Sequence, residues 1–177
     1  LIALSMCLFR PIHAFLLPLL LASQALPIFV IAPLLVLWFG YGITAKILTT
    51  TFMLFFPVAN NFLDGLKQTP ENYLNLAHIM NSSRWQTLYQ IRIPAALPNL
   101  ASGIRIATAM APLGAIIGEW VGSSQGLGFL LLNANAQMQT GLMFAILAVI
   151  FFFSIFIYFL IDKLLCLGMP WTLLKSH

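Results

Sequence analysis

The sequence predicts an all-α protein, a polytopic bundle of transmembrane helices with one polar loop built from two short helices. Of its 177 residues, 61% are hydrophobic and 7% are charged, whereas about a quarter of the residues in soluble domains are charged. Apolar stretches of bilayer-spanning length recur along the chain, and one long polar segment, residues 69–98, interrupts them. Because internal repeats and low-complexity linkers are absent, residues 1–177 are expected to form one domain.

The composition argues against several functional classes. The net charge of +4 comes from few ionisable groups, and no basic cluster has interleaved aromatic residues, so we expect no nucleic-acid partner. Cys7 and Cys166 lie far apart without C-x-x-C spacing, which argues against a metal or redox site. Carboxylates and histidines are scattered, and neither a phosphate-binding loop nor a nucleophile elbow occurs. We therefore expect a non-catalytic membrane subunit in contact with lipid, without a cofactor.

The first residues, 1–9, are apolar but too few to span a bilayer. The chain starts inside this apolar run without an initiator Met or a signal peptide. We expect the end of a helix whose beginning is missing, with Arg10 marking the water boundary, and hence a fragment that lacks its N-terminal part.

Residues 11–45 carry no charge. A single helix of that length would measure about 52 Å, well beyond a hydrocarbon core of about 30 Å. Its prolines, Pro18, Pro27 and Pro33, are expected to divide the stretch, because proline interrupts helices. The prediction is an interfacial helix followed by a span that a Gly-Tyr-Gly turn closes, at residues 11–25 and 27–39.

The next uncharged stretch, residues 47–63, is just long enough to span, and its second half contains Pro57, Asn60 and Asn61. Backbone groups freed by a proline in lipid need partners, so this end is expected to face other helices, with the asparagines bonding inward. Asn60 and Asn61 are candidates for the substrate path. Alternatively, they cap the cytoplasmic end of the helix.

The polar segment predicts a first helix capped by Thr69, with Pro70 at its first position. Tyr73, Leu76, Ala77 and Met80 would form one apolar face. Asn81 can end this helix, because asparagine tolerates the left-handed conformation.

Ser83 and Gln86 form an S-x-x-Q capping box that predicts a second short helix. This helix would carry Arg84, Trp85, Leu88 and Tyr89 and stop before Pro94.

Residues 99–118 form the next predicted span, which is rich in glycine and alanine. Small residues such as Gly114 and Gly118 allow close helix approach, so the span should be central in the bundle or at a dimer seam. Arg105 can extend toward the cytoplasmic headgroups. Glu119 is either an interfacial charge beside the aromatic anchor Trp120 or a gate or receptor contact.

Residues 121–140 contain a Gly/Ser turn and a segment with four amides. On a helix, Asn133 would pair with Gln137 and Asn135 with Gln139. This segment fits a short helix at the outer mouth of a pathway, and plain interfacial packing explains it equally well. Residues 140–161 then form a clean span, ended by Asp162 and Lys163.

The segment 75–94 resembles the EAA loop of ABC importer permeases. The matching residues are Asn75-Leu76-Ala77, Asn81-Ser82-Ser83-Arg84-Trp85 and Ile91-Arg92-Ile93-Pro94. Their intervals follow the family pattern E-A-A, three residues, G, nine residues, I, one residue, L-P. The chain departs from this pattern at Asn75, Leu76, Asn81 and Ile93. Asn81 keeps the backbone geometry and Ile93 the apolar character, but an amide at position 75 cannot make a charge-assisted contact.

This resemblance implies a pair of coupling helices that dock in a groove on a cytoplasmic ATPase subunit. It further implies two permease chains, two ATPase chains that hydrolyse ATP, and a periplasmic or lipid-anchored substrate-binding protein. The ATPase-coupling residues would be Asn75, Ala77, Asn81, Ser83, Arg84, Trp85, Ile91 and Pro94. Spacing alone would equally fit an ordinary helical cytoplasmic loop.

The wider sequence is similar to importer permeases of the nitrate, sulfonate and taurine group, through Q-A-L-P at 24–27, P-L-L-V-L-W-F-G at 33–40 and G-E-W-V-G at 118–122. Within that group, residues 112–122 and 132–140 look most like permeases for hydroxymethylpyrimidine, the pyrimidine precursor of thiamine. The resemblance implies that solute, with nitrate, sulfonate or taurine as alternatives. Outer-gate candidates are Glu119, Asn133, Asn135 and Gln137.

The resemblance implies a location in the bacterial inner membrane, and the positive-inside rule orients the chain there. With residues 69–98 and the C-terminus in the cytoplasm, only Lys46 lies outside, and the cations on the inner side are Arg10, Lys67, Arg84, Arg92, Lys163 and Lys175. A proton-coupled carrier is the alternative class, but such a carrier needs an ionisable relay at mid-membrane. The predicted spans hold only Arg105, close to an end.

Overall fold

A computed structural model describes residues 2–8 and 10–169, and these residues fold into helices without a β-strand, which confirms the all-α prediction. The α-helices are α1 (Ile2–Leu8), α2 (Arg10–Ala25), α3 (Ile28–Phe39), α4 (Ile43–Lys67), α5 (Glu71–Ile79), α6 (Arg84–Thr87), α7 (Ile93–Gly122), α8 (Leu127–Ala136) and α9 (Thr140–Gly168), with a π-helical turn at Leu88–Arg92 between α6 and α7. Lys175, expected on the cytoplasmic side together with the C-terminus, lies outside the described residues.

The bundle is organised around α4 and α7, which pack closely along their length. Gly103, Gly114 and Gly118 of α7 lie directly against the α4 backbone. A Cβ atom on Gly103 would lie 2.8 Å from the Pro57 carbonyl oxygen, and one on Gly118 would lie 3.1 Å from the Lys46 Cα. The small residues of α7 therefore serve helix packing inside one chain, which confirms that this span is central.

Among the described residues, α4, the continuous run 84–122 and α9 are long and apolar enough to cross a membrane. The pair α2 and α3 makes a fourth candidate, bent by 98° at its break. With 12 residues, α3 alone is about 18 Å long, shorter than the hydrocarbon core of about 30 Å. The prediction of 27–39 as a span by itself is therefore wrong.

Of the three prolines expected to divide residues 11–45, only one interrupts the helical path, in agreement with the predicted helix bounds of 11–25 and 27–39. Pro18 and Pro33 lie inside α2 and α3, and only Pro27 stands at a break. Pro94 does not end the second loop helix either, because the chain continues through the π turn into α7. In this turn the Ile93 N–H bonds the Leu88 carbonyl, five residues back. This wider turn precedes the residue that lacks an N–H group, so the helical path is maintained.

An ion pair changes the predicted end of the last span. Arg105 was expected to extend toward headgroups, but its Nε donates to Asp162 Oδ1 of α9 at 2.5 Å. The helix itself does not end where the predicted span does, at Asp162 and Lys163, because α9 continues to Gly168. Pairing offsets the charge of Asp162, and the pair joins α7 to α9.

Buried side chains at the base of the polar loop form an apolar cluster. Leu63 and Leu66 of α4, Leu88 of the π turn and Ala96 of α7 are all inaccessible or nearly so. Residues of α1 and α2, among them Met6 and Leu20, complete the cluster. The loop is therefore anchored in the core through Leu88, on the helix that continues into the central span.

The close α4–α7 contact predicts that Gly103→Val destabilises the protein by about 1–3 kcal/mol, because the added carbons overlap the Pro57 carbonyl and Asn61. The measurement is the melting temperature of the purified protein in detergent. Gly141→Ala is the matched control, since nothing lies within 4 Å of its new Cβ. Equal melting temperatures for the two variants would contradict the close packing.

Candidate functional site

The first helix of the polar loop ends as predicted at Asn81. This residue adopts a left-handed conformation with φ of 51°. Its N–H donates to the His78 carbonyl at 3.1 Å, and the Ser82 N–H donates to the Ala77 carbonyl at 3.0 Å. These two bonds define a Schellman motif, which satisfies the last carbonyls of α5 and fixes the direction of the chain.

The predicted cap at the other end of α5 is wrong. The Thr69 hydroxyl donates to the Leu66 carbonyl at 3.1 Å, so this buried side chain closes α4 instead of opening α5. Pro70 is the N-cap residue of α5 without a side-chain cap, and the first helical residue is Glu71. A hydroxyl at a helix junction can bond to either side, and here it bonds to the preceding helix.

The second helix begins with the predicted capping box. The Ser83 N–H donates to Gln86 Oε1 at 2.8 Å, and the Gln86 N–H donates to Ser83 Oγ at 3.3 Å. The Thr87 hydroxyl adds a bond to the Ser83 carbonyl. The turn between the two loop helices is therefore fixed on both sides by local hydrogen bonds.

Burial divides the predicted coupling residues into two groups. Ala77 is buried and Ile91 is half-buried, so both contribute to packing within the chain. The others are exposed: Asn75, Asn81, Ser83, Arg84, Trp85 and Pro94.

Besides the predicted contact residue Trp85, the loop exposes the large apolar side chains of Ile79, Met80 and Tyr89. Ile79 is 80% exposed and Met80 is 70% exposed, while the rings of Trp85 and Tyr89 stack with centroids 6.4 Å apart. The predicted apolar face of α5 buries only Ala77, and its other members face outward. These exposed side chains could have been found from the sequence, because large apolar residues stand on both sides of the Asn81 turn.

Asn60 and Asn61 bond within their own helix, not across the bundle as predicted. Asn61 Nδ2 donates to the Pro57 carbonyl at 2.7 Å, and Asn60 Nδ2 donates to Asp64 Oδ2 at 3.0 Å. This end of α4 nevertheless faces α7, since Gly103 lies against Pro57 and Asn61. Because α4 continues to Lys67, the two asparagines do not cap its end.

At the opposite end of the bundle, Glu119 has a partner within the chain. Its Oε2 accepts a hydrogen bond from the Gly128 N–H at 2.7 Å, which ties α7 to the first turn of α8. Nearby, Lys46 Nζ donates to Ser123 Oγ at 2.7 Å. Trp120 stacks on Phe29, with ring centroids 5.8 Å apart. The sequence predicts Trp120 as an aromatic anchor at this end. The contact between Glu119 and Gly128 could be identified only from the fold.

The amides after Glu119 are exposed but do not pair as predicted. Helix α8 ends at Ala136, and Met138 has φ of 55°. The pairs 133 with 137 and 135 with 139 therefore do not form, because they require a continuous helix. Instead, Gln139 Nε2 donates to Gln137 Oε1 at 2.7 Å. Asn133, Asn135 and Gln137 are all solvent-accessible in the chain.

The chain is similar to known transport proteins. Residues 1–165 match the family described as binding-protein-dependent transport system inner membrane component. A probable ABC transporter permease protein from Haemophilus influenzae is 54% identical over 156 residues, which cover 88% of this chain and 64% of that protein.

Two further relatives carry more specific names. The formylaminopyrimidine transport permease protein ThiX of Halalkalibacterium halodurans is 38% identical over 87% of this chain and 62% of its own length. The riboflavin transport system permease protein RibX of Chloroflexus aurantiacus is 37% identical over 87% of this chain and 58% of its own length. The chain thus spans about three fifths of the curated relatives it matches.

The capping box predicts that Ser83→Ala weakens the start of α6 by about 1 kcal/mol, because the Gln86 N–H loses its acceptor. Hydrogen–deuterium exchange should become about fivefold faster at amides 84–88, while those of α7 stay unchanged. Ser82→Ala is the matched control in the same turn. Equal exchange in both variants would argue against the box.

Proposed function

The chain belongs to the family of binding-protein-dependent transport system inner membrane components, and from this membership we propose that it is the permease subunit of an ATP-driven importer for a small polar solute. In this proposal ATP is hydrolysed on a separate ATPase chain, present in two copies, which acts on two permease chains. The doubly capped turn between α5 and α6 is the single observation that carries the proposal.

The turn between α5 and α6 supports coupling to an ATPase because it is both stiff and exposed. The Schellman motif ends α5 and the capping box starts α6, so force on one helix is transmitted to the other without bending. Exposed Asn75, Asn81, Ser83, Arg84 and Trp85 would contact the ATPase, and Ile79 and Met80 would fill apolar depressions on it. Ala77 and Ile91 would support this surface from inside.

A displacement of the polar loop would be transmitted directly to the membrane-spanning bundle. Leu88 is buried in the core cluster, and its helix continues as α7, the close partner of α4. ATP-driven closure of the ATPase pair would displace the α5–α6 unit and shift the bundle between inward-open and outward-open states. Asn75 replaces the acidic residue of the EAA pattern, so apolar contacts would contribute more to docking here.

The proposed orientation places the α5–α6 unit and the C-terminus in the cytoplasm of a bacterial inner membrane, as the positive-inside rule favours. The end with Glu119 and α8 would then face outward. A periplasmic or lipid-anchored binding protein would deliver the solute to that end, near exposed Asn133, Asn135 and Gln137. Half-buried Asn60 and Asn61, beside the α4–α7 contact, are the candidates for the solute path.

For the solute, we propose a pyrimidine, with hydroxymethylpyrimidine as the first candidate. A relative named for formylaminopyrimidine transport, 38% identical over most of this chain, supports this choice. A relative of nearly equal identity is named for riboflavin, another nitrogen heterocycle. Nitrate, sulfonate and taurine are the alternatives within the same machinery.

Coupling is tested by substitutions at Asn81. Asn81→Val should lower uptake about tenfold while ATP hydrolysis continues, because a β-branched residue is strained by about 1–2 kcal/mol in the left-handed region. Asn81→Gly, which adopts that region freely, should retain uptake. The measurement is solute accumulated per ATP hydrolysed by the complete transporter in proteoliposomes.

Normal uptake by Asn81→Val would contradict the coupling role of the turn. Uptake that collapses with the proton gradient and ignores ATP would favour the alternative class, a proton-coupled carrier.

The solute is tested with the substrate-binding protein that the proposal assigns to this permease. Calorimetric titration with hydroxymethylpyrimidine should give saturable binding, and taurine, nitrate and riboflavin should give none. Loaded binding protein should also stimulate the ATPase of the reconstituted complex several-fold over the empty protein. Binding of taurine or nitrate in place of the pyrimidine would overturn the solute assignment and leave the importer proposal intact.

A further inference from the structure

A cleft of about 840 Å³ lies between the α5–α6 unit and the N-terminal helices. His78 and Ser82 line it from the α5 side, Arg84 and Thr87 from α6, and Arg92 from the π turn. The opposite wall includes Cys7 of α1 and Pro11 of α2. Arg84 belongs both to this cleft and to the surface proposed to contact the ATPase, whereas Arg92, Cys7 and Pro11 belong to the cleft alone.

The cleft carries positive charge without a matching carboxylate. No Asp or Glu lines it, and within residues 2–8 and 10–169 neither Arg84 nor Arg92 forms a salt bridge. Arg92 Nη1 donates to Cys7 Sγ at 3.1 Å, but a thiol is a weak acceptor and leaves the other N–H groups of the guanidinium available.

The carboxylates of the described residues have other partners or lie outside the cleft lining. Asp64 accepts from Asn60, Asp162 from Arg105 and Glu119 from the Gly128 N–H. Glu71, the remaining carboxylate, stands at the start of α5 and does not line the cleft. Two arginines that line one cavity without an acidic partner favour an anionic ligand, and arginine matches phosphate oxygens in a bidentate arrangement.

The surface beside the cleft is apolar. Helix α2, whose Pro11 forms part of the wall, exposes Phe15, Leu19 and Leu21. A basic cavity next to exposed apolar side chains matches the two parts of a phospholipid, the phosphate and the acyl chains.

We propose that this cleft binds a phosphate group, and that its source is an anionic phospholipid of the surrounding membrane, with the phosphate between Arg84 and Arg92 and the acyl chains along α2. The ligand would bridge the α5–α6 unit to the N-terminal helices. The site does not depend on transport, so it can be tested without the substrate or ATP.

The test is a native mass spectrometry titration of the full-length, delipidated permease complex with phosphatidylglycerol or phosphatidylcholine. Phosphatidylglycerol should bind more tightly, and Arg84→Gln and Arg92→Gln should each weaken it about fivefold, as expected for loss of one cation near an anionic headgroup. Arg92→Lys, which keeps the charge, should restore most of the affinity. The matched control is Lys67→Gln, since exposed Lys67 at the end of α4 does not line the cleft.

A second arm uses inorganic phosphate alone in detergent. If phosphate at millimolar concentration displaces phosphatidylglycerol and raises the melting temperature of the wild-type complex but not of Arg92→Gln, the site binds phosphate from a soluble source and the lipid assignment is overturned. Equal binding of both lipids, or equal loss in Lys67→Gln and the arginine variants, would overturn the site itself. The melting temperature of each variant establishes that it is folded.

Discussion

The close contact between α4 and α7 is the constraint on which the rest of the structure depends. A bilayer provides no hydrophobic drive for helices to associate, so the two helices stay together through van der Waals contact at short range. Gly103 and Gly114 remove the side chains that would hold the backbones apart, and Gly65 does the same from α4 against Ala96 and Asn99. Elements at both ends of the bundle take their positions from this pair.

At one end, the polar loop is continuous with this pair. The π turn at Leu88–Arg92 carries the chain from α6 into α7 without a break, and Leu88 is buried among α4 side chains. A loop joined by flexible coil would dissipate an applied displacement. Here the two caps, the buried leucine and the uninterrupted helix form one stiff connection, which is the mechanical property that the proposed coupling to an ATPase would require.

At the other end, polar contacts connect the end of α7 to α8 and to α4. Glu119 accepts from the Gly128 N–H, and Lys46 donates to Ser123. Gly126 has φ of 119°, and a Cβ there would overlap the Glu119 carboxylate, so glycine is required on both conformational and steric grounds. The Arg105–Asp162 pair adds a contact between α7 and α9. Among the described residues, no carboxylate lines the arginine cleft at the opposite end.

The sequence by itself determined the helical class, the small-residue face of α7, the left-handed turn at Asn81 and the capping box at Ser83, because each rests on composition or on bonds within about six residues. Only the tertiary structure decided the path through Pro94, the partner of Thr69 and the length of α9. It also brought Arg105 to Asp162, 57 residues away, and Arg92 to Cys7, 85 residues away. The physical reason is that these contacts depend on which helices become neighbours, and apolar helices of similar composition do not specify their neighbours locally.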